Sequence, residues 1–257
     1  MNHKVQLTAL FTHIHHEYAR MSRIPVQMFL PTLITTLIYF LVFGAIIGKR
    51  IGSIDGVDYS SFITPGLLML AVITNSYANS SSSLFSARFQ KSVEELLISP
   101  MRYELFLLGY VLGGIIRGFI VAIAVIAVAM FFIKIDLIRL PLTFIVTILF
   151  ASLFSLAGFT NGMMAKTFDE LSIVPTFILS PLIYLGGVFF SIEMLTPFWH
   201  AVALINPVYY MIDLLRFAMI GYSAVNAWLG VTILVFLVVA MSFINLYLLK
   251  RGVGIRD

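Results

Sequence analysis

Long uncharged runs, mostly apolar, alternate along the chain with short segments that hold nearly all of its charge. After Arg23 no charged residue occurs before Lys49, and further uncharged runs lie between Asp58 and Arg88, Arg139 and Lys166, and Glu170 and Glu193. A helix needs about 20 apolar residues, at 1.5 Å each, to cross the hydrocarbon of a bilayer. Backbone in lipid must bond within its own segment, so these runs predict spanning helices. Two more complete the set: Leu105 to Ile133, interrupted only by Arg117, and Val225 to Leu249 ahead of Lys250 and Arg251. The expectation is an all-α polytopic membrane protein, one transmembrane domain over residues 1–257. Its spans fall at about 24–47, 61–85, 105–133, 140–164, 171–190 and 225–249.

The stretch after Glu193 is uncharged up to Asp213 but contains Pro197, His200 and Asn206-Pro207. Counting it as a seventh span would separate the two termini. With six spans and both ends cytoplasmic, the basic residues of Lys4 to Arg23, Arg88 to Arg102, Lys166 and Lys250 to Arg256 all fall inside, as the positive-inside rule requires. Residues 191–223 therefore read as a re-entrant helical hairpin on the outer face. Residues 1–23 read as an interfacial helix, with Leu7, Leu10, Phe11, Ile14 and Tyr18 on one face and His13, His16, Glu17 and Arg20 on the other. The polar face is expected to be solvated. Residues 88–100 repeat the pattern in miniature, with Phe89, Val93, Leu96 and Leu97 opposite Lys91, Glu94 and Glu95.

Composition agrees with this layout: 60% of the 257 residues are hydrophobic and 11% charged, against about 25% charged in a soluble domain. The net charge of +4 sits in the segments between runs, where it sets orientation rather than holding nucleic acid. Without cysteine, disulfides and thiolate metal sites are excluded. The charged first 23 residues give no sign of a cleavable signal peptide.

Candidate chemistry is sparse. Gly44 to Arg50 lacks the spacing and the Ser or Thr of a phosphate loop, and its glycines, like Gly109/Gly113, Gly114/Gly118 and Gly158/Gly162, suit close helix packing. His13, His15, His16 and Glu17 lack zinc-protease spacing, and there is no nucleophile elbow. No metal site and no catalytic residue is assigned. The second run has a polar inner half, in which Asn75, Asn79, Ser82 and Ser86 fall on one helical face, and Arg117 interrupts the third run. These are candidates to line a solute path or, alternatively, to bond helices together.

Three stretches carry a family resemblance: Ser92 to Pro100; Leu185-Gly186-Gly187-Val188-Phe189-Phe190; and Asn206-Pro207-Val208-Tyr209-Tyr210 with Asp213 and Arg216. Through them, over essentially the whole chain, the sequence resembles the permease subunits of type-2 ABC exporters, in particular the YadH-type inner-membrane permeases. The resemblance implies a homodimer of six-helix subunits in a bacterial inner membrane, in contact with its lipids and with two copies of a separate ATP-binding subunit. ATP and magnesium would belong to that subunit, and this chain would carry no cofactor. It also implies that Phe89, Val93, Glu94, Glu95, Leu96 and Leu97 form a coupling helix, that spans two and five line the path, and that the hairpin matches a family feature. Asn206 and Pro207, with Asp213 and Arg216 three apart and able to pair, would make that hairpin an outer gate or else a rigid plug. The expected cargo is a lipid, lipid-linked glycan or amphipathic drug moved out of the cytoplasm or inner leaflet. An ion-coupled secondary carrier is the alternative, although no Asp or Glu lies inside a span. An intramembrane enzyme is a third reading, with no assembled constellation behind it.

Overall fold

The computed structural model describes residues 3–92 and 101–254. Helix α1 (His3–Arg23) ends where Pro25 forces Ile24 out of the helical region, to φ −135° and ψ 52°. The proline then occupies the first turn of α2 (Pro25–Ile51), where its missing N–H removes no bond. A two-residue hairpin, β1 (Ser53–Ile54) with β2 (Val57–Asp58), leads to α3 (Tyr59–Phe89), whose first turn is capped by Asp58 accepting from the Ser60 N–H at 3.0 Å. There follow α4 (Tyr103–Ala129), α5 (Leu137–Met164) and α6 (Phe168–Leu185). Two short helices, α7 (Pro197–Ile205) and α8 (Pro207–Ile220), meet at a bend of 81°. The last is α9 (Ala227–Arg251), stopped by Gly252 in the left-handed conformation.

Among the described residues, six helices (α2 to α6 and α9) are long and apolar enough to span a membrane, and α7 with α8 forms the broken pair. Helix α6 stops at Leu185, short of the expected 190, because Gly186 and Gly187 turn the chain there, Gly187 with φ +82°. Helix α4 ends at Ala129, and Met130 to Ile133 form turns. At the other end α3 runs on to Phe89 and breaks at Lys91, which adopts φ +58°. Phe89 is therefore the end of a spanning helix and not the start of a separate one. The residues expected to couple, Val93, Glu94, Glu95, Leu96 and Leu97, lie outside the described residues.

Helix α3 is the centre of the molecule, with 78% of its most apolar stretch buried against 11% for α6 and for α9. It packs on α4 and α5 through glycines. A Cβ on Gly162 would come within 2.5 Å of the Ser81 carbonyl, and one on Gly114 within 2.7 Å of Ser80 Oγ. Lipid chains are as apolar as leucine, so association inside a bilayer rests on such close packing and on interhelical hydrogen bonds.

Candidate functional site

Polar side chains gather in three places. The first is the inner half of α3, where the expected single stripe divides by the helical offset between its members. Asn75 and Asn79 are buried and face α1, α2 and α4. The Asn75 amide donates to Thr32 Oγ1 at 3.0 Å and to its own-turn Ala71 carbonyl, while its oxygen accepts from Arg117 Nε at 3.2 Å. Asn79 donates to Glu17 Oε2 at 3.3 Å and accepts from Arg20 at 2.8 Å. Arg117, the one charge in the interior of α4, is thus bonded to a neighbouring helix.

The partners of Asn79 come from α1, and here the structure corrects the sequence. Glu17 is 1% exposed and His13 6%, while Leu7, Phe11 and Tyr18 on the opposite face are exposed. His13 and Glu17 of the polar face are turned inward, while His16 stays exposed and Leu7, Phe11 and Tyr18 point outward, the arrangement expected of a helix lying between protein and lipid. Glu17 accepts from the Ser83 hydroxyl, from Asn79 and, at 3.1 Å, from Arg20. Room for it comes from Gly113, whose Cβ would meet Glu17 Oε2 at 2.9 Å, and Gly109 makes the same room for His13. Burial lowers the His13 pKa, Glu17 opposing and His16 adding to that shift. The sequence showed the Gly-xxx-Gly pair on α4 and the polar face of α1, but not that one receives the other. A cavity of about 810 Å³, partly lined by Gln6, His16, Arg20, Ser86 and Gln90, lies beside this network.

The second place is an open groove between α3 and α6 of about 300 Å³, lined by Thr74, Ser81, Ser82 and, from α6, Ser172, Thr176 and Ser180. Helix α6 loosens here into a wider turn over Val174–Leu179, where Ser180 N–H reaches back five residues to the Pro175 carbonyl. Such π turns are common at functional sites. A neighbouring groove of about 270 Å³ between α2, α3 and Tyr184 of α6 contains Thr32, Thr35, Thr36 and Tyr39, and shares Thr74 with the first. Of the residues expected to line a path, Ser82 faces the α3–α6 groove, Ser86 the cavity beside α1, and Asn75, Asn79 and Arg117 are bonded between helices. At one end of the α3–α6 groove Phe85, Phe89 and Phe168 cluster, with ring centroids 4.7 to 6.3 Å apart.

The third place is the corner between α7 and α8. Asn206 caps α8 by accepting from the Val208 N–H at 3.0 Å and donates to the Leu182 carbonyl of α6 at 2.6 Å. Pro207 supplies the first turn. Asp213 and Arg216, both 2% exposed, do not bond each other as the sequence suggested, although they lie three apart. Asp213 accepts from Ser223 and from the N–H groups of Ala224 and Val225. Arg216 donates to the carbonyls of Phe62 and Gly187, with its guanidinium 3.8 Å from the centre of the Phe62 ring. Backbone groups supply what each charge lacks, so α8 is tied to α3, to the end of α6 and to the loop before α9. The glycine pair after Leu185 makes this fit, since Gly186 lies against Val208 and Ile212.

Among the described residues no group of acidic, histidine or cysteine side chains could hold a metal ion. Five apolar helices pack round the polar central helix α3, with side grooves and a broken hairpin beside them. Comparison with known proteins agrees. Residues 8–220 match the family described as ABC-2 type transporter. The chain is 45% identical over 241 residues to the inner membrane transport permease YadH of Escherichia coli K12, covering 94% of each chain. It is 24% identical over 243 residues to nodulation protein J of Rhizobium leguminosarum bv. viciae, covering 91% of each. The chain is therefore a multi-pass inner-membrane permease subunit of the ABC-2 type transporter family.

Proposed function

We propose that this permease works as a homodimer with two copies of a separate ATP-binding subunit and exports a hydrophobic or amphipathic molecule. The observation that carries the reading is the hydroxyl-lined groove between α3 and α6, open on one side of a protomer whose α2 and α6 bury little of their surface. A second copy laid against that side would close the groove into a path. The distribution of basic residues favours cytoplasmic termini, and with them a cytoplasmic connection between α3 and α4 that would dock in the ATP-binding subunit. Glu17 and Asp213, the two carboxylates buried within the described residues, have their oxygens engaged, Glu17 by Ser83, Asn79 and Arg20 and Asp213 by Ser223 and the N–H groups of Ala224 and Val225. That suits an anchor, and leaves an ion-coupled carrier without a coupling group.

Co-purification with an ATP-binding partner, followed by reconstitution into liposomes and measurement of ATP-dependent movement of labelled lipid or amphiphile, tests the proposal. Movement that needs hydrolysis supports it, whereas movement driven by an ion gradient without any ATP-binding subunit overturns it. Within the same preparation, Leu96→Asp is expected to abolish stimulated hydrolysis, because it would bury an unpaired charge at the docking surface.

A further inference from the structure

The two grooves flanking α3 have a shared chemistry. Among the described residues that line them none carries a charge, and the polar members are hydroxyls. Several have already spent their protons on backbone carbonyls: Thr74 donates to Leu70 at 2.8 Å, Ser172 to Asp169 at 2.7 Å, Ser180 to Pro175 at 2.8 Å and Ser82 to Asn79 at 3.3 Å. A hydroxyl offers one proton and two lone pairs, so a hydroxyl bonded in this way presents only acceptors to whatever lies in the groove. An anionic group placed there would meet no cation, and an ammonium would leave water with no counter-charge.

From this we infer that the path takes an uncharged amphiphile whose polar part is rich in hydroxyl or amide donors, and that it discriminates against anionic and cationic headgroups. The inference rests on the groove being the path. Thr74 is the position that decides it, because it lines both grooves and is exposed.

The test uses the full chain in nanodiscs, with binding of labelled octyl glucoside, octyl phosphate and octylammonium measured by equilibrium dialysis against empty discs. The glucoside is expected to bind at least about tenfold more tightly than either charged probe, since the latter lose solvation without gaining a partner. Thr74→Val, which keeps the volume and removes the acceptor, should weaken the glucoside about fivefold, as one lost hydrogen bond does. Thr74→Lys should reverse the order in favour of the phosphate. Equal binding of phosphate or ammonium to the unaltered chain overturns the inference and leaves the export reading standing. The inference also fails, with the export reading intact, if both Thr74 variants bind like the parent. Binding of none of the three above empty discs overturns the inference and the groove as path together, while ATP-driven export is judged separately by the liposome assay.

Discussion

Glu17 has three donors and a glycine recess on α4, so its replacement leaves a defined set of groups unsatisfied. Glu17→Ala strips Asn79 and Ser83 of their acceptor and Arg20 of its carboxylate partner, and leaving buried polar groups without partners costs about 1–3 kcal/mol. The expected outcome is a lower melting temperature of the solubilised protein, with Glu17→Gln intermediate because its amide oxygen can still accept. His13 gives the same contact a pH dependence. Its pKa is lowered in the docked state by burial, so the undocked state binds the proton more readily, and docking is at full strength above about pH 6.5. As pH falls below that value docking weakens, with Glu17 partly opposing and His16 adding to the effect, until the docked histidine also takes its proton. Proteolysis of α1 in liposomes should therefore quicken on acidification, and His13→Phe should remove that part of the response. Little of this was legible in the sequence. The periodicity of α1 fixed its two faces correctly, but a helical wheel does not tell a helix on a membrane surface from one wedged between lipid and protein. The deciding signal was three-dimensional: two glycines on another helix leave a hollow for two polar side chains.

Among elements, the spanning helices were the most legible part, since length and lack of charge set them directly, whereas their ends followed local backbone chemistry. Helix α3 runs to Phe89 because no proline or glycine stops it, and α6 ends early because two glycines do. That continuation brings Phe85 and Phe89 against Phe168 at the start of α6, just where the chain leaves toward the expected coupling segment. Rings packed edge to face are worth about 0.5–1.5 kcal/mol beyond their buried area. A push on the α3–α4 connection would reach α6 through Phe168, and with it both walls of the α3–α6 groove. Phe168→Ala should therefore lower stimulated ATP hydrolysis and transport several-fold while the dimer and its ATP-binding subunits still co-purify. Loss of assembly with unchanged specific activity would identify the cluster as packing alone.

At the scale of the whole molecule, the proposed dimer would open and close only where parts of each subunit can move. Helix α8 is poorly placed to move: its two buried charges are tied by backbone groups to α3, to the end of α6 and to the loop before α9. Helix α7 differs: Phe198, Trp199 and Ile205 are exposed, and beyond the 81° corner at Asn206 it is held by the buried Ala203 and by the Tyr210 hydroxyl donating to the Leu204 carbonyl at 2.8 Å. If the hairpin gates the path, α7 is the arm expected to swing and α8 the fixed plug. The absence of native cysteine makes this testable. A Cβ on Gly230 would stand 3.0 Å from the Leu214 Cβ, a little inside the roughly 3.5–4.5 Å of a disulfide, and 2.8 Å from the Tyr210 carbonyl oxygen, so Leu214→Cys with Gly230→Cys should bridge α8 to α9 once α9 gives way at both contacts. Oxidation of that pair is expected to leave transport unchanged. Trp199→Cys labelled from outside with a bulky maleimide is expected to block it, and reversal of the two results would make α8 the gate.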